Sequence, residues 1–578
     1  MARRVWEDVP VDAEDVRAIA SAIGVPPVVA RLLCQRGFGD IEAARRFLAP
    51  DISHLGDPFM LADMRPAVER LLSAVARQEL IGIHGDYDVD GVTATAILRR
   101  GLELLGGAVI HFVPDRLKDG YGLQPSTVER LHARGARVIV SVDCGIRATE
   151  AALRARALGV DLIITDHHEP DGVLPAALAV INPKRPDCAY PDKMLAGVGV
   201  AFKLVQALVQ SSGRGVEWLP HFLKIAAIGT LADVVPLVGE NRVLAHCGLR
   251  ALSAGPHGAG LEALLADCGL TGRVLDSFHV SFMLAPRLNA AGRMSTPDLA
   301  LDLLLMRGRD ADVRTQAREL ARQLSAENTR RQEHEAVLLA DARRSIERDP
   351  QVGAHNLLIV AGEGWHRGVL GIVASKLVET YHKPALVLSI EDGLARGSGR
   401  SIPRFDLLAA LEACADVFLQ FGGHKQAAGV TLDAARLPEL RQRLTHVANE
   451  QLSPGDLLPR LRIDAPLGLS EISGAVVEAL AHLGPFGAAN AKPIFRASPI
   501  DLIAPPRKLK ERHLSLMVKQ GPRSFRAVAW RAGEQAEYLS ANRYGLELAY
   551  SLDQSEYRGE RVTELTVADI RMPQGLPA

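Results

Sequence analysis

Three carboxylates and an imidazole are concentrated in IGIHGDYDVDG, residues 81–91, where His84, Asp86, Asp88 and Asp90 follow a short apolar segment. Carboxylates this close repel one another unless protons or a cation neutralise them. Carboxylate oxygens and imidazole nitrogens together are suitable ligands for a divalent metal. By itself the motif is equally typical of an Asp/Gly-rich turn with a helix N-cap, so both interpretations remain open at this point.

Two further segments of the same kind favour the metal site. RVIVSV runs directly into Asp143, and DLIIT runs directly into Asp166, His167 and His168. Each is a short segment rich in β-branched residues, which predicts a buried strand, and each is followed by a helical pattern. Ligands of open α/β sheets bind just beyond the carboxyl ends of the strands. We therefore predict that the acids and imidazoles after three parallel strands meet at one edge of a sheet.

Two other polar positions have a structural and a functional interpretation. Asp233 follows an apolar helical segment in HFLKIAAIGTLADVVPL. A buried acid needs either a helix cap or a metal as its partner, and the local pattern favours the cap. Arg116, in the loop PDRLKDGYGLQ, is either part of a solvated turn or a contact to phosphate, because a guanidinium matches phosphate oxygens.

Two glycine-rich segments lie in the second half of the chain. RGSGRS contains Ser398 and Arg400, and GGHKQAAG contains His424. We interpret both as loops, in which backbone N–H groups and a guanidinium surround one anion. Together they predict a phosphate contact in a second α/β lobe.

Periodicity divides the chain into five parts. Strands and helices alternate after residue 80, which predicts a parallel sheet with right-handed crossovers. Residues 309–346 contain no Gly or Pro and predict one long helix, and the last hundred residues alternate with period two, as in a small antiparallel barrel. The fold class is α/β, and the predicted parts are a helical N-terminal lead-in (1–75), an α/β domain (76–308), a connecting helix (309–348), a second α/β domain (349–450) and a barrel resembling an OB fold that binds nucleic acid (451–578).

Composition limits the class of protein. The 578 residues carry a net charge of −1, which neither indicates nor excludes a nucleic-acid partner. The six cysteines form no CxxC pair, which excludes a zinc-finger or disulfide module and favours a reduced cytoplasmic compartment. No apolar segment reaches the length of about 20 residues that spans a membrane, and the first residues lack an apolar leader. We expect no membrane partner.

The motifs resemble a known superfamily. HGDYDVDG, VDCG, TDHHE and TLADVVPL are similar to the four motifs of the DHH phosphoesterases, and GWHRGVLGIVASK, RGSGRS and GGHKQAAG are similar to the DHH-associated C-terminal domain. The barrel and PRLNAAGR extend the resemblance, over nearly the whole chain, to the superfamily members that degrade single-stranded DNA from its 5′ end. No motif is broken, which argues against a catalytically inactive relative.

The resemblance implies a role for each residue of the motifs. Asp143 would bridge two metals, Asp86 would be an added acid, and Asp166 would orient its neighbours. His168 would either ligate the second metal or contact the scissile phosphate, and the metal role of Asp233 overrides the local preference for a cap. The implied metal ligands are His84, Asp88, Asp90, Asp143, His167, His168 and Asp233, and the catalytic set is Asp86, Asp88, Asp90, Asp143, His167, His168 and Asp233.

The resemblance also implies how the substrate is held. Arg116, Ser398 and Arg400 would form a pocket for the 5′ end of the strand, whereas Arg287 and His424 would contact the substrate near the reacting phosphate. We therefore expect the first three residues to lie close together and the other two to lie near the metal site.

The ligand types favour particular metals. A set of carboxylates and imidazoles without thiolate favours two Mn²⁺ ions, with Mg²⁺ as the alternative and zinc disfavoured. Two such ions can activate a water and hold the attacked phosphate. The expected reaction is phosphodiester hydrolysis that releases 5′-mononucleotides, in DNA repair and recombination.

The expected partners follow from that reaction. They are single-stranded DNA with a 5′ end, a helicase and a single-strand binding protein, and we expect a monomer. Two alternatives remain: an enzyme of the same fold acting on small substrates, which would not need the barrel, and a non-catalytic DNA-binding scaffold, which would not need the intact motifs.

Overall fold

The computed structural model describes residues 4–116, 118–120, 122–349, 353–557 and 560–573. The chain divides into two compact units. We call them the catalytic unit (Leu55–Val235 and Leu244–Leu457) and the barrel unit (Met1–His54, Pro236–Val243 and Leu458–Ala578).

The strands of the described residues are numbered in chain order. Strands β1 to β10 are Val5–Asp8, Ile81–His84, Val109–Phe112, Val138–Val142, Asp161–Thr165, Ala179–Ile181, Leu358–Glu363, Ala385–Glu391, Leu394–Arg400 and Gln420–His424. Strands β11 to β19 are Ala427–Asp433, Arg460–Ile463, Ala465–Pro466, Phe495–Leu502, Arg507–Leu509, His513–Gln520, Arg523–Ala529, Leu546–Tyr557 and Glu560–Arg571.

The α-helices are numbered in the same way. Helices α1 to α10 are Ala13–Ile23, Pro27–Gln35, Ile41–Leu48, Met64–Ala76, Val89–Leu104, Pro125–Ala133, Thr149–Ala157, Gly197–Ser211, Pro220–Ala232 and Gly239–Ala254. Helices α11 to α20 are Ala259–Asp267, Ser277–His279, Ala285–Met294, Asp298–Leu305, Ala311–Arg348, Leu370–Tyr381, Leu407–Glu412, Leu437–Gln451, Gly474–Ala481 and Ala536–Ala541. A π-helical turn, Val280–Leu284, joins α12 to α13.

A parallel sheet forms the first lobe of the catalytic unit, with strand order β3-β2-β4-β5-β6. His84 is in register with Ser141, and Val142 with Thr165. Strands β2 and β4 are buried along their whole length, as expected for a parallel sheet covered by helices. The carboxyl ends of β2, β4 and β5 therefore lie side by side, and the three acid and histidine motifs follow these ends.

A second sheet forms the other lobe of the same unit, with strand order β10-β11-β9-β8-β7. Strands β7 and β8 are parallel and the other pairs antiparallel. The two glycine-rich segments lie largely in these strands, so our interpretation of them as loops is wrong. A Cβ at Gly399 would come within 2.7 Å of Leu407 Cδ2, so glycine here permits close packing on the sheet.

The long helix predicted between the lobes is confirmed as α15, whose 38 residues span about 57 Å at 1.5 Å per residue. It packs against α11, α13 and α14 and also against β7 and the helix Leu370–Tyr381. Leu338, Ala342 and Ile346 belong to the apolar core of the second lobe. Helix α15 is thus shared by the cores of both lobes of the catalytic unit.

The barrel predicted at the end of the chain is also confirmed. The sheet of the barrel unit has the order β13-β14-β18-β19-β17-β16-β15, and the additional pairing of β14 with β16 closes five strands into a barrel. Tyr550 is fully buried in this barrel, and its hydroxyl donates to the carbonyl of Leu467 at 2.7 Å.

The predicted N-terminal lead-in is divided between the two units after His54. Val5 pairs in parallel with Arg460, so the segment contains a strand that the helical prediction omitted. Ile19, Leu33 and Phe47 share one core with the barrel. Residues 55–75 belong to the catalytic unit.

No single helix of the described residues is long and apolar enough to cross a membrane. One bent pair, Ala13–Ile23 with Pro27–Gln35, reaches the required length and composition together, with a bend of 118°.

Candidate metal centre and anion pocket

The first acids of the centre are positioned by the start of α5. The Asp88 side chain caps this helix, accepting from the N–H groups of Asp90 and Gly91 at 2.9 and 3.1 Å. A Cβ at Gly91 would come within 2.5 Å of the Asp86 carbonyl oxygen, so only glycine lets the chain fold back here. Asp86 and Asp90 are both buried as a result.

Asp143 is held at the centre by its backbone. The residue lies in the left-handed region with φ of 61°, directly after β4, a conformation that Asp tolerates better than most residues. Its carboxylate lies against Gly197 at the start of α8, where a Cβ would come within 2.3 Å of Asp143 Oδ1. The absence of a side chain at Gly197 therefore makes room for this carboxylate.

The same helix start holds Asp90. The N–H groups of Gly197 and Val198 donate to the two oxygens of Asp90 at 2.7 Å each. Both donors are at the positive N-terminal end of α8, which favours negative charge. Asp90 is thus fixed with both oxygens oriented although it is only 1% exposed.

Asp166 organises the two histidines. Its carboxylate accepts from the N–H groups of Ile146 and His167, and from the ring Nδ1 of His168 at 2.7 Å. Burial raises the pKa of Asp166, but the hydrogen bond and charge of His168 together with the backbone N–H donors outweigh burial, so the pKa of Asp166 is lowered. Burial likewise opposes the charge on His168, and the contact with Asp166 nevertheless raises its pKa. The pair places a positive charge beside the acids.

Side chains from three elements converge on His167. Its Nε2 lies 3.1 Å from Asp143 Oδ1, 3.7 Å from Asp233 Oδ2 and 3.9 Å from Asp90 Oδ2. Asp233 follows the C-terminus of α9, so its side chain joins this cluster as the motif resemblance implied. Three sets of ligand atoms each lie within 4.8 Å of one another, namely Asp86–Asp88–Asp143, Asp143–His167–His168 and Asp90–His167–Asp233.

The electrostatics of the cluster fit a divalent cation. Burial, and then neighbouring carboxylates, raise the pKa of Asp86 and of Asp143 well above the ordinary value, that of Asp90 to about 7 and that of Asp233 to about 9. Burial lowers the pKa of His167 to about 3, which keeps its ring neutral, as a metal ligand requires. Oδ1 of Asp86 is buried without a hydrogen-bond partner in the described structure.

The available donors select the type of metal. Cys144 is adjacent to Asp143, but burial raises the pKa of its thiol well above the ordinary value, so it stays protonated. Carboxylates and imidazoles without thiolate favour Mn²⁺ or Mg²⁺ over zinc. The residues present therefore fit the metals that the sequence predicts.

His84 is placed differently from the other predicted ligands. None of the three groups formed by the described residues includes it. Its ring is fully buried and stacks on Phe112 with ring centroids 6.0 Å apart, and burial lowers its pKa to about 4. His84 thus lies beside the centre as a neutral ring, and its role as a ligand remains a prediction.

The cluster predicts a pH-dependent stability of the metal-free protein. Between pH 3.8 and the raised pKa values of Asp90 and Asp233, about 7 and 9, the folded chain keeps protons that the unfolded chain has released. The free energy of unfolding should therefore fall as pH rises, by about 1.4 kcal/mol per pH unit for each shifted carboxyl. Below pH 6.5 the lowered pKa values of His84 and His167 oppose this trend, so calorimetry in EDTA should show a lower Tm at pH 8 than at pH 6.5.

Two controls accompany that measurement. Saturating Mn²⁺ should remove most of the slope, and Asp233→Asn should reduce it in EDTA because one shifted carboxyl is gone. Equal Tm values at pH 6.5 and pH 8 in EDTA would contradict the electrostatic description of the centre.

Three guanidinium groups lie close to one another near these acids. Arg116 stacks over the Tyr87 ring at 5.0 Å, and Arg293 donates to the Gly368 carbonyl at 3.1 Å. Burial, and then the charge of Arg116, lower the pKa of Arg293 to about 10 and also lower that of Arg400. Cations that repel one another in a buried setting favour a bound anion.

Ser398 completes this anion pocket. Arg400 donates to Ser398 Oγ at 3.0 Å, so the two predicted residues of β9 are in direct contact. A Cβ at Gly371 would come within 2.9 Å of the Arg400 guanidinium and 3.1 Å of Ser398 Oγ. The first turn of the helix Leu370–Tyr381 therefore lies directly against the pocket, where helix N–H groups favour phosphate. Arg116, Arg293, Ser398 and Arg400 together define it.

The other two predicted substrate contacts are placed elsewhere. Arg287 donates to Ser325 Oγ at 2.8 Å and to the Met283 carbonyl at 2.7 Å, and it pairs with Asp267 at 3.5 Å. His424 lies at the exposed end of β10, where its ring accepts from the Gln426 N–H at 3.3 Å. Their contact with substrate remains a prediction.

The predicted site residues did not include two residues that contact the site. Arg293 stands in the sequence only as a charge among small residues, although it and not Arg287 joins the anion pocket. Gly197 carried no signal, since a glycine before an apolar helix is common. The nearby Asn289 accepts from the Val89 N–H at 3.1 Å, which ties PRLNAAGR to the metal-binding turn.

Family comparisons agree with this site. The sequence models of the DHH family N-terminal domain, the DHHA1 domain and the RecJ OB domain match residues 80–230, 354–450 and 463–569. With the metal centre described above, these matches define a DHH-type phosphoesterase.

Relatives over the whole chain identify the family within that class. The chain is 36% identical over 567 residues to the single-stranded-DNA-specific exonuclease RecJ of Salmonella typhimurium, covering 94% of this chain and 96% of that one. It is 40% identical over 490 residues to RecJ of Bacillus subtilis, covering 84% of this chain and 61% of the relative's length. The chain therefore belongs to the RecJ family.

Solved structures agree. RecJ of Thermus thermophilus in complex with Mn²⁺ is 31% identical with a TM-score of 0.84, covering 99% of this chain and 80% of that one. The same protein with Mg²⁺ is 30% identical with a TM-score of 0.78, covering 100% of this chain and 80% of that one. The predicted fold class is confirmed by these comparisons.

Proposed function

We propose that the protein is a metal-dependent exonuclease specific for single-stranded DNA, which degrades the strand in the 5′→3′ direction and releases 5′-mononucleotides. The observation that carries this proposal is the convergence of Asp90, Asp143, His167 and Asp233 within the metal centre. The fold and the family relatives agree with it. The proposed biological role is DNA repair and recombination.

The chain's own residues supply positioning and charge. Divalent metals bound by Asp86, Asp88, Asp90, Asp143, His167 and Asp233 would activate water and neutralise the attacked phosphate. Asp166 holds His168 in place, and the raised pKa of His168 favours its contact with the scissile phosphate over a role as ligand. Buried acids fixed by hydrogen bonds need little reorganisation during the reaction.

Exposed aromatic rings near the centre support a single-stranded substrate. Phe278 and Phe282 stack with ring centroids 5.0 Å apart, although they are 58% and 68% exposed. Ser281, between them, donates to the carbonyl of Leu231 at 3.2 Å, two residues before Asp233. Exposed rings of this kind can stack on unpaired bases, which a duplex does not offer.

The anion pocket explains the polarity. A 5′ phosphate held by Arg116, Arg293, Ser398 and Arg400 would fix the strand end at a constant distance from the metal centre, so that cleavage occurs near that end. Arg287 and His424 are proposed to contact the strand beyond it. The fixed distance accounts for cleavage as single nucleotides.

Arg400→Ala should weaken the preference for a phosphorylated end. Loss of one charge-assisted contact to phosphate is worth about 1.5–3 kcal/mol, so the ratio of kcat/KM between 5′-phosphorylated and 5′-hydroxyl strands should fall at least tenfold. Arg396→Ala, four residues earlier on the same strand, is the matched control. A ratio as high in Arg400→Ala as in the unchanged protein would refute the pocket.

One experiment separates the proposal from its two alternatives. A 5′-labelled 40-mer and a dinucleotide are incubated with Mn²⁺ or with EDTA, and released mononucleotides are measured. We expect manganese-dependent release with kcat/KM much higher for the 40-mer. Higher activity on the dinucleotide would favour the small-substrate enzyme, and binding of the 40-mer without release would favour the scaffold.

The cellular setting follows from the same chemistry. The six cysteines are free thiols in the structure, which suits the reducing cytoplasm. A helicase that supplies unwound strands and a single-strand binding protein are the proposed partners of a monomeric enzyme.

A further inference from the structure

A cavity of about 600 Å³ lies in the catalytic unit, away from the metal centre. Arg100 and Leu104 line it from the C-terminal end of α5, and Phe222 and Lys224 line it from the N-terminal end of α9. Its volume is in the range of small-molecule sites.

The same two helices carry metal-centre acids at their opposite ends. Asp90 is in the first turn of α5 and Asp233 follows the last residue of α9. A Cβ at Gly229 would come within 2.2 Å of Thr93 Oγ1, so the helices pack antiparallel at the metal end. Ten residues separate Asp90 from Arg100, or about 15 Å along the helix.

The cavity concentrates positive charge. Arg100, Lys224, Arg307 and Arg309 line it, and its described lining contains no Asp or Glu. Glu103 lies close enough to influence Arg100 and Arg307, but Arg99 pairs with it at 2.7 Å. Burial, and then the charge of Arg307, lower the pKa of Arg100 to about 10, and burial lowers the pKa of Lys224. An anion would relieve both effects.

Arg100 has a donor that no described residue satisfies. One of its terminal nitrogens donates to the carbonyl of Leu304, which fixes the guanidinium. Its Nε is buried and has no hydrogen-bond partner among the described residues. A buried unpaired donor costs free energy, so this nitrogen is a suitable contact for an oxygen of a ligand.

The remaining wall is aromatic and apolar. Trp218 lines the cavity, with Arg214 over its ring at 4.5 Å and the His221 ring 6.3 Å away. Indole rings stack on nucleobases without sequence preference. The N-terminus of α9, at Pro220, also lines the cavity and favours a phosphate there.

We propose that this cavity binds a nucleoside monophosphate, with the phosphate among Arg100, Lys224 and Arg307 and the base against Trp218. Binding is independent of the proposed exonuclease activity. Inhibition by the reaction product does rest on that proposed function. The released mononucleotide would occupy the cavity and, through α5 and α9, lower the rate of hydrolysis at the metal centre.

Binding is tested with dAMP on the full-length protein in EDTA, by calorimetry and by tryptophan fluorescence. We expect dAMP to bind at least tenfold more tightly than inorganic phosphate or deoxyadenosine. Arg100→Ala and Lys224→Ala should each weaken dAMP binding at least tenfold. Arg314→Ala, an exposed arginine of α15 outside the cavity, should leave it unchanged, and Trp218→Phe should remove the fluorescence response.

Each other outcome overturns a defined part of the proposal. Unchanged dAMP affinity in both Arg100→Ala and Lys224→Ala would remove the cavity as the site. If inorganic phosphate binds as tightly as dAMP, the cavity would be a site for an inorganic anion and the proposed nucleotide specificity would be wrong. If Arg100→Ala and Lys224→Ala weaken the binding of a single-stranded 20-mer but not of dAMP, the cavity would be a contact site for the DNA strand and not for a mononucleotide. If Arg100→Ala does not fold, Lys224→Ala at a half-buried position decides the same question.

The coupling is measured separately. With Mn²⁺ and the 40-mer, added dAMP should inhibit the unchanged protein at least threefold, and Lys224→Ala should lose this inhibition while keeping its basal rate. Inhibition that survives in Lys224→Ala would assign it to the metal centre. Binding in EDTA without any exonuclease activity would retain the cavity site and refute the proposed function instead.

Discussion

Asp143→Asn should reduce exonuclease activity by about a thousandfold or more, equivalent to about 4 kcal/mol of transition-state stabilisation. Asp143 belongs to two of the three ligand groups and lies 3.1 Å from His167 Nε2. Asparagine keeps the volume and tolerates the left-handed backbone of this position, so the change removes the charge and leaves the shape. Mononucleotide release from the 40-mer is the measurement.

The same substitution distinguishes loss of chemistry from loss of folding. Burial and neighbouring acids raise the pKa of Asp143, so its removal relieves repulsion, and Tm in EDTA at pH 8 should not decrease. Binding of single-stranded DNA should persist within about threefold, since most strand contacts are to phosphate charges elsewhere. Asp312→Asn, at an exposed position of α15, is the control. Activity within tenfold of the unchanged protein would refute the central role of Asp143.

Gly197→Ala is the second substitution with a large expected effect, about a hundredfold loss of activity. The added methyl group would lie 2.3 Å from Asp143 Oδ1 and 2.6 Å from its Cγ, so the carboxylate must move. The N–H of the same residue holds Asp90 at 2.7 Å, and that contact would shift as well. Misplacement of ligands by about 1 Å costs this much in rate.

The expected signature is a weaker metal site. The Mn²⁺ concentration for half-maximal activity should rise at least tenfold, because two ligands are displaced together. Gly199→Ala, two residues along the same helix, places its methyl group 3.2 Å from the flexible end of Leu195 and should retain activity within about threefold. If Gly197→Ala and Gly199→Ala behave alike, the packing account of Asp143 is wrong.

Local sequence was sufficient for the elements and for the convergence of the acids and histidines. Buried β-branched segments ending in Asp143 and Asp166 predicted strands and the edge where they meet, because parallel strands place their carboxyl ends together. The segment 309–346, which contains no Gly or Pro, predicted the helix observed at Ala311–Arg348. Such signals depend only on the period of the residues and on neighbours a few positions away.

The tertiary structure alone decided contacts between distant segments. Val5 pairs with Arg460, Gly197 makes room for Asp143, and Arg293 reaches the anion pocket near Arg400. A glycine or arginine carries no periodic signal for a partner a hundred residues away, since burial and close approach are set by packing. For the same reason the glycine-rich segments predicted as loops are strands. Their small residues allow other elements to pack closely on the sheet, and those elements are distant in the sequence.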